Sequence, residues 1–120
     1  MLMCGVTASA ANDYGLVDSI QGGVILHCFD WKYTQITKEL ENIAAAGFTT
    51  VQTSPAQVGV DTDEWYWLYQ PLGFYLSENA LGTPDELKAL CDSAHSLGMF
   101  VIVDVVANHL PAIIRTFKTI

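Results

Sequence analysis

Basic residues are scarce in this chain. Five Lys and Arg stand against thirteen Asp and Glu among 120 residues, for a formal net charge of −8. Sequence-independent binding to nucleic acid or to an anionic membrane needs clustered cations, so the balance argues against both and leaves neutral or cationic ligands open. No stretch of about 18 unbroken apolar residues occurs, which argues against a transmembrane helix. Charged residues make up only 15% and apolar ones 51%, too hydrophobic for an intrinsically disordered chain. Cysteine is rare and odd in number: Cys4, Cys28 and Cys91 form no CxxC pair, so a zinc knuckle, a dithiol site and a disulfide framework lack support. Cys28 and Cys91 read as small buried hydrophobes. No GxGxxG, no phosphate loop ending in Lys-Ser/Thr and no serine nucleophile elbow appear. The length fits one domain or part of one.

The first residues, MLMCGVTASAA, end in small side chains, and Ala8-Ser9-Ala10 resembles a signal-peptidase site without a basic region before it. Residues 1–19 are therefore expected to be an N-terminal extension holding the remnant of an export signal, or else a merely disordered start.

Three runs rich in β-branched and aromatic residues follow: 23–29 (GVILHCF), 48–54 (FTTVQTS) and 99–106 (MFVIVDVV). The first and third are near-continuously apolar, the pattern of parallel strands covered on both faces. Between the first two runs, Ile36, Leu40, Ile43 and Ala44 recur at helical spacing, predicting a helix over about 34–46 stopped by Gly47. A second helix is announced by Thr83-Pro84-Asp85-Glu86: an N-cap Thr, a Pro at the first helical position and a Glu that completes a capping box. Leu87, Leu90, Cys91, Ala94 and Leu97 form its apolar stripe, and Gly98 ends it. The order β-α-β-α-β predicts parallel strands joined by right-handed crossovers.

The links between these elements are unequal. From Phe29 to the first helix the chain spends about four residues; from Ser54 to Thr83 it spends about thirty, far beyond the usual two to six. Both links leave C-terminal strand ends, where α/β folds bind ligands. The long loop is also aromatic, with Trp65, Tyr66, Trp67 and Tyr69 followed by Phe74 and Tyr75. These rings read either as a small apolar core pinning the loop, or as an exposed platform beside amides and hydroxyls, suited to the C–H faces and hydroxyl rims of sugars. Asp104, flanked by valines, needs a cationic or hydrogen-bonded partner if buried. Asn108 and His109 emerge beyond it on the same edge. Cys91 and His95 are one helical turn apart, but no further ligand lies near them for a metal.

The segment Asp104-Val-Val-Ala-Asn-His109 resembles the first signature region of the α-amylase family of glycoside hydrolases, family thirteen. Trp65-Tyr-Trp-Leu-Tyr-Gln-Pro71 is similar to that family's loop after the second strand. Residues 23–30, Gln52-Thr-Ser-Pro55 and Leu81-Gly-Thr83 fall in the same order, so that 20–109 resembles the N-terminal part of the catalytic barrel, most of all that of secreted bacterial α-amylases. The resemblance implies the first three βα units of a (β/α)8 TIM barrel, incomplete as given, from an enzyme that hydrolyses internal α-1,4 bonds of starch and maltooligosaccharides with retention.

The resemblance also implies roles. His109 would hydrogen-bond the sugar at the cleavage point and Tyr69 would stack on it; Gln70 would contact a hydroxyl, and Tyr66 would line the cleft. Trp65 reads equally as cleft wall and as core. Asp104 would support the active site by holding an Arg, and Asn108 would be one ligand of a structural calcium. The family's catalytic acids come from strands four, five and seven. None of Asp30, Asp61, Asp63 or Glu64 matches one, so no catalytic residue is expected in this chain and the chain alone is expected to be inactive. Residues 110–120 do not read as the family's continuation and stay unassigned. A non-catalytic α-glucan-binding fragment, or part of a glucanotransferase or debranching enzyme, are the alternatives. Open strand edges and an uncovered apolar face would favour self-association.

Overall fold

The computed structural model describes residues 13–111; Cys4, the Ala8-Ser9-Ala10 arrangement and all but the first two residues of the 110–120 tail lie outside them. Within that span the chain runs β1 (Ile25–Cys28), α1 (Tyr33–Ala45), β2 (Thr50–Thr53), a 3₁₀ helix (Trp65–Tyr69), α2 (Pro84–Ser96) and β3 (Phe100–Val103). The strands form a parallel sheet in the order β1-β2-β3. Two crossovers of the same hand, made in the same direction, place α1 and α2 on one face of that sheet. No described helix is long and apolar enough to cross a membrane.

The helices begin where tertiary and local signals put them. α2 has the full capping box: Glu86 N–H donates to Thr83 Oγ1 (3.2 Å) and Thr83 N–H to Glu86 Oε2 (2.8 Å), with Pro84 at the first position. α1 starts at Tyr33 rather than Thr34 and has no side-chain cap. The Tyr33 N–H instead donates to the Leu81 carbonyl at 2.9 Å. A bond from a distant loop thus takes over the work of a cap, which is why no cap residue marks the start.

Both helices end in the same Schellman motif. In α1, Gly47 N–H reaches the Ala44 carbonyl (2.9 Å) and Phe48 N–H the Ile43 carbonyl (3.3 Å). In α2, Gly98 N–H reaches His95 and Met99 N–H reaches Ala94, both at 3.0 Å. Gly47 and Gly98 sit at φ +92° and +75°, a conformation that costs an L-residue roughly 1–2 kcal/mol. Each motif hands the chain almost directly to the next strand.

The core lies between sheet and helices. Cys28 and Val51 from the strands meet Tyr33, Ile36, Leu40, Ile43 and Ala44 of α1 and Leu87, Leu90 and Ala94 of α2. Burial pushes the Cys28 thiol up to about 11, and that of Cys91 upward as well. At the sheet's entry a side chain at Gly23 would collide with Thr49, whose hydroxyl bonds Val24 at both N–H and C=O.

The strands are shorter than the apolar runs that contain them, and the expectation that they are covered on both faces does not hold here. Ile25 is 42% exposed, and β3 is only partly buried along its length. The reason is geometric: side chains alternate between the faces, and among the described residues the helices cover only one. Pairing aligns Ile25, Thr50 and Phe100 in one row and His27, Gln52 and Ile102 in another, so these rows line the face away from α1 and α2.

Candidate functional site

The C-terminal ends of the three strands meet at one edge, and the long loop folds over it. β1 exits through Phe29 and Asp30. Asp30 adopts φ +60°, the only non-glycine among the described residues at positive φ, and its N–H donates to Ser54 Oγ at the end of β2 (3.0 Å). A strained residue held by a neighbouring strand end is a recurrent feature of functional edges. The turn at Asp30 leaves the Phe29 ring facing the loop.

There Phe29 meets the aromatic run. Its ring stacks on Tyr69 with centroids 6.3 Å apart and planes at 20°, and lies 5.4 Å from Trp65. Trp65 in turn packs edge-on against Tyr66 and Tyr69. Only Leu68 of the 3₁₀ helix is buried, while Trp65 is 51% and Tyr66 44% exposed. Phe74 and Tyr75 are exposed too. Trp65, Tyr66, Phe74 and Tyr75 match the open-platform reading, whereas Trp67 and Tyr69 are half-buried and Tyr69 packs against the core. The Tyr66 hydroxyl donates to the Glu64 carboxylate, which holds its phenol above the ordinary range.

What pins the loop is a pair of buried amides. Asn79 Nδ2 donates to the carbonyls of Pro55 (3.2 Å) and Gln57 (3.1 Å), and its Oδ1 accepts from Leu81 N–H (2.9 Å). Gln57 reads the backbone of Val106, with Nε2 donating to its carbonyl at 3.0 Å and Oε1 accepting its N–H at 2.7 Å. Backbone bonds between Val58 and Tyr75 and between Leu72 and Val58 close the loop on itself. Sequence reasoning missed Gln57 and Asn79, because an amide's partners dozens of residues away leave no local pattern. Gln52, Ser54, Phe29 and the Asp30 turn were missed as site components for the same reason.

Asp104 follows β3 directly and is half-buried. Its partners are polar: Gln52 Nε2 donates to Oδ1 at 2.7 Å and the Tyr69 hydroxyl to Oδ2 at 3.2 Å. Burial, with the Asp104 and Asp30 carboxylates nearby, raises the Tyr69 phenol above its ordinary value. His109 is exposed, and its Nε2 donates to the Tyr69 carbonyl at 2.9 Å. Asp104, Tyr69 and His109 are therefore brought together, with Trp65 and Tyr66 beside Tyr69. Gln70 follows the 3₁₀ helix, tied by its own N–H to the Trp67 carbonyl. Asn108 is exposed next to His109.

Calcium takes about six to eight oxygen ligands, and Asn108 supplies one. No group of three or more His, Cys, Asp or Glu able to hold a metal exists among the described residues. These residues do not by themselves fit a calcium site.

Comparison with known proteins bears on this edge. A family model described as alpha amylase, catalytic domain, matches residues 30–120. An alpha-amylase of Clostridium acetobutylicum is 41% identical over 99 residues, which are 79% of this chain and 13% of that protein. The crystal structure of alpha-amylase I from Eisenia fetida superposes with a TM-score of 0.67 at 28% identity, over 73% of this chain and 18% of that one. An alpha-amylase from Geobacillus thermoleovorans, crystallised with acarbose, gives 0.68 at 25% identity, over 77% and 24%. The chain thus spans less than a quarter of the length of each of these relatives.

Proposed function

The chain belongs to the family of α-amylase catalytic domains, and on that premise we propose that its C-terminal sheet edge is part of an α-glucan cleft. The parent enzyme hydrolyses internal α-1,4 bonds of starch-like polysaccharides with retention, and 20–109 are the first three βα units of its (β/α)8 barrel. A glucanotransferase or debranching enzyme would share this part of the cleft. Export of the parent is part of the same proposal.

The observation that carries the reading is the convergence of Phe29, Trp65, Tyr69, Asp104 and His109 at one edge. Apolar rings offer stacking faces for pyranose C–H surfaces, and polar groups at their border fix orientation. In this proposal Tyr69 stacks on the sugar at the cleavage point and His109 hydrogen-bonds it. Gln70 contacts a neighbouring hydroxyl, while Trp65 and Tyr66 form the wall. Asp104 supports the site by bracing the Tyr69 hydroxyl. Asn108 serves as one oxygen donor to a structural calcium completed by other donors.

A retaining glycosidase needs two carboxyl groups about 5 Å apart. No acid of this chain matches one of the family's catalytic positions, and Asp104 is committed to Gln52 and Tyr69. The chain is therefore proposed to bind α-glucan without cleaving it. Titration with maltohexaose is expected to quench tryptophan fluorescence, with no reducing sugar released. Absence of quenching at millimolar sugar removes the binding reading; turnover abolished by His109→Ala removes the claim of inactivity. Self-association through the uncovered sheet face, where Ile25 is exposed, is proposed as well. Light scattering that finds only monomer overturns it.

A further inference from the structure

The segment that carries Asn108 and His109 has few ties to the sheet. Its last backbone bond to β2 is Asp104 N–H to the Thr53 carbonyl at 3.2 Å. Beyond that point the described bonds that hold it come from the long loop: the Gln57 amide at Val106 and the Tyr69 carbonyl at His109. Gln57 is itself buried and fixed, since Asn79 holds its carbonyl at 3.1 Å and its backbone bridges to Leu76 in antiparallel fashion. Its Nε2 also reaches the Gly73 carbonyl at 3.4 Å.

A primary amide offers a donor and an acceptor side by side, as a peptide unit does. Gln57 thereby acts as a one-residue strand, reading both N–H and C=O of Val106 where the β3 ladder has stopped. Sequence separation between the partners is 49 residues, so the contact joins two stretches that nothing local would align.

We propose that Gln57 is a positioning residue for the α-glucan site: its amide sets where Asn108 and His109 stand relative to the ring platform of Phe29, Trp65 and Tyr69. The inference rests on the α-glucan reading only for its binding consequence. Gln57 touches no sugar. It acts by keeping His109 within reach of both the Tyr69 carbonyl and a ring stacked on that tyrosine.

The test uses the full chain and three readouts. Gln57→Met keeps the side chain's approximate volume and removes both bonds to Val106. It is expected to shift the His109 imidazole resonance, assigned among three histidines by comparison with His109→Gln, and to weaken maltohexaose binding about tenfold, the equivalent of roughly one to two lost hydrogen bonds. The far-UV spectrum should stay unchanged. A folded Gln57→Met chain whose His109 resonance and maltohexaose affinity equal those of the unmodified chain overturns the proposal. Should that variant not fold, amide exchange in the unmodified chain decides: the Val106 N–H is expected to exchange far more slowly than that of Ala107. Equal exchange at the two positions overturns the proposal. If the unmodified chain shows no maltohexaose quenching, the α-glucan reading fails, while the His109 resonance and the Val106 exchange rate still decide on Gln57.

Discussion

The turns at the N-terminal edge of the sheet and the loop at its C-terminal edge face the same problem, joining helix to strand, and solve it with different materials. At the N-terminal edge, Gly47 and Gly98 reverse the chain within a few residues, and backbone groups satisfy one another. At the C-terminal edge the chain from 54 to 83 crosses the strand ends and is held there by the side chains of Gln57 and Asn79. The first solution is short and closed by its own backbone bonds. The second leaves aromatic rings in solvent and polar groups along their border. The first edge is held by backbone groups and the second by buried side-chain amides, and the proposed recognition lies at the second.

This division can be broken at chosen points. The largest effect is expected from Asn79→Ala, which strands the Pro55 and Gln57 carbonyls and the Leu81 N–H in a buried site. About 3 kcal/mol of stability should disappear in urea unfolding, and the sugar response should go with it, because this amide anchors the long loop to the fold. Gly98→Ala attacks the other edge. It should cost about 1–2 kcal/mol through its left-handed backbone while leaving maltohexaose quenching per folded molecule unchanged. Trp65→Ala should do the converse, abolishing most of the quenching while unfolding free energy stays within about 0.5 kcal/mol.

The smallest expected effect is a pH dependence on the covered face. The Cys28 thiol is raised from 9.0 to about 11 by burial, so between these values the unfolded chain has lost a proton that the folded chain keeps. The associated stability is complete below pH 9 and is lost as pH rises through 11. Replacing Cys28 by Ala should flatten the slope of unfolding free energy against pH in that interval. An unchanged slope would show that the thiol is not shielded.

The two edges also differ in how far they can be read from sequence. Thr83, Pro84, Glu86, Gly47 and Gly98 act on neighbours within a turn, so the α2 cap and both helix ends are legible. Strand ends are not, because Ile25–Cys28 is cut from its longer apolar run by what pairs beside it. The aromatic run, Asp104 and His109 stand out by composition and by family resemblance. Their mutual arrangement depends on bonds spanning 35 and 40 residues, from Tyr69 to Asp104 and from His109 to Tyr69. The start of α1 is illegible for the same reason, since its first N–H is satisfied by Leu81.

The long loop is sewn shut at its neck. Gln57 bridges Leu76, and Asn79 clasps Pro55 and Gln57, so the stretch between 58 and 75 leaves and rejoins the fold at nearly one place. Within this closed ring Leu68 is buried in the core and Tyr69 bonds Asp104 and His109, so only the far end is free of such ties. Its tip can lengthen, shorten or exchange its residues at a cost that grows only slowly with length, while the sheet beneath registers no change in the distance between the ends. Insertions are therefore expected to be tolerated around the exposed Asp63 and Glu64. A designer seeking to graft a foreign segment onto this scaffold would open the ring there and leave the stitches and the Leu68 and Tyr69 anchors in place.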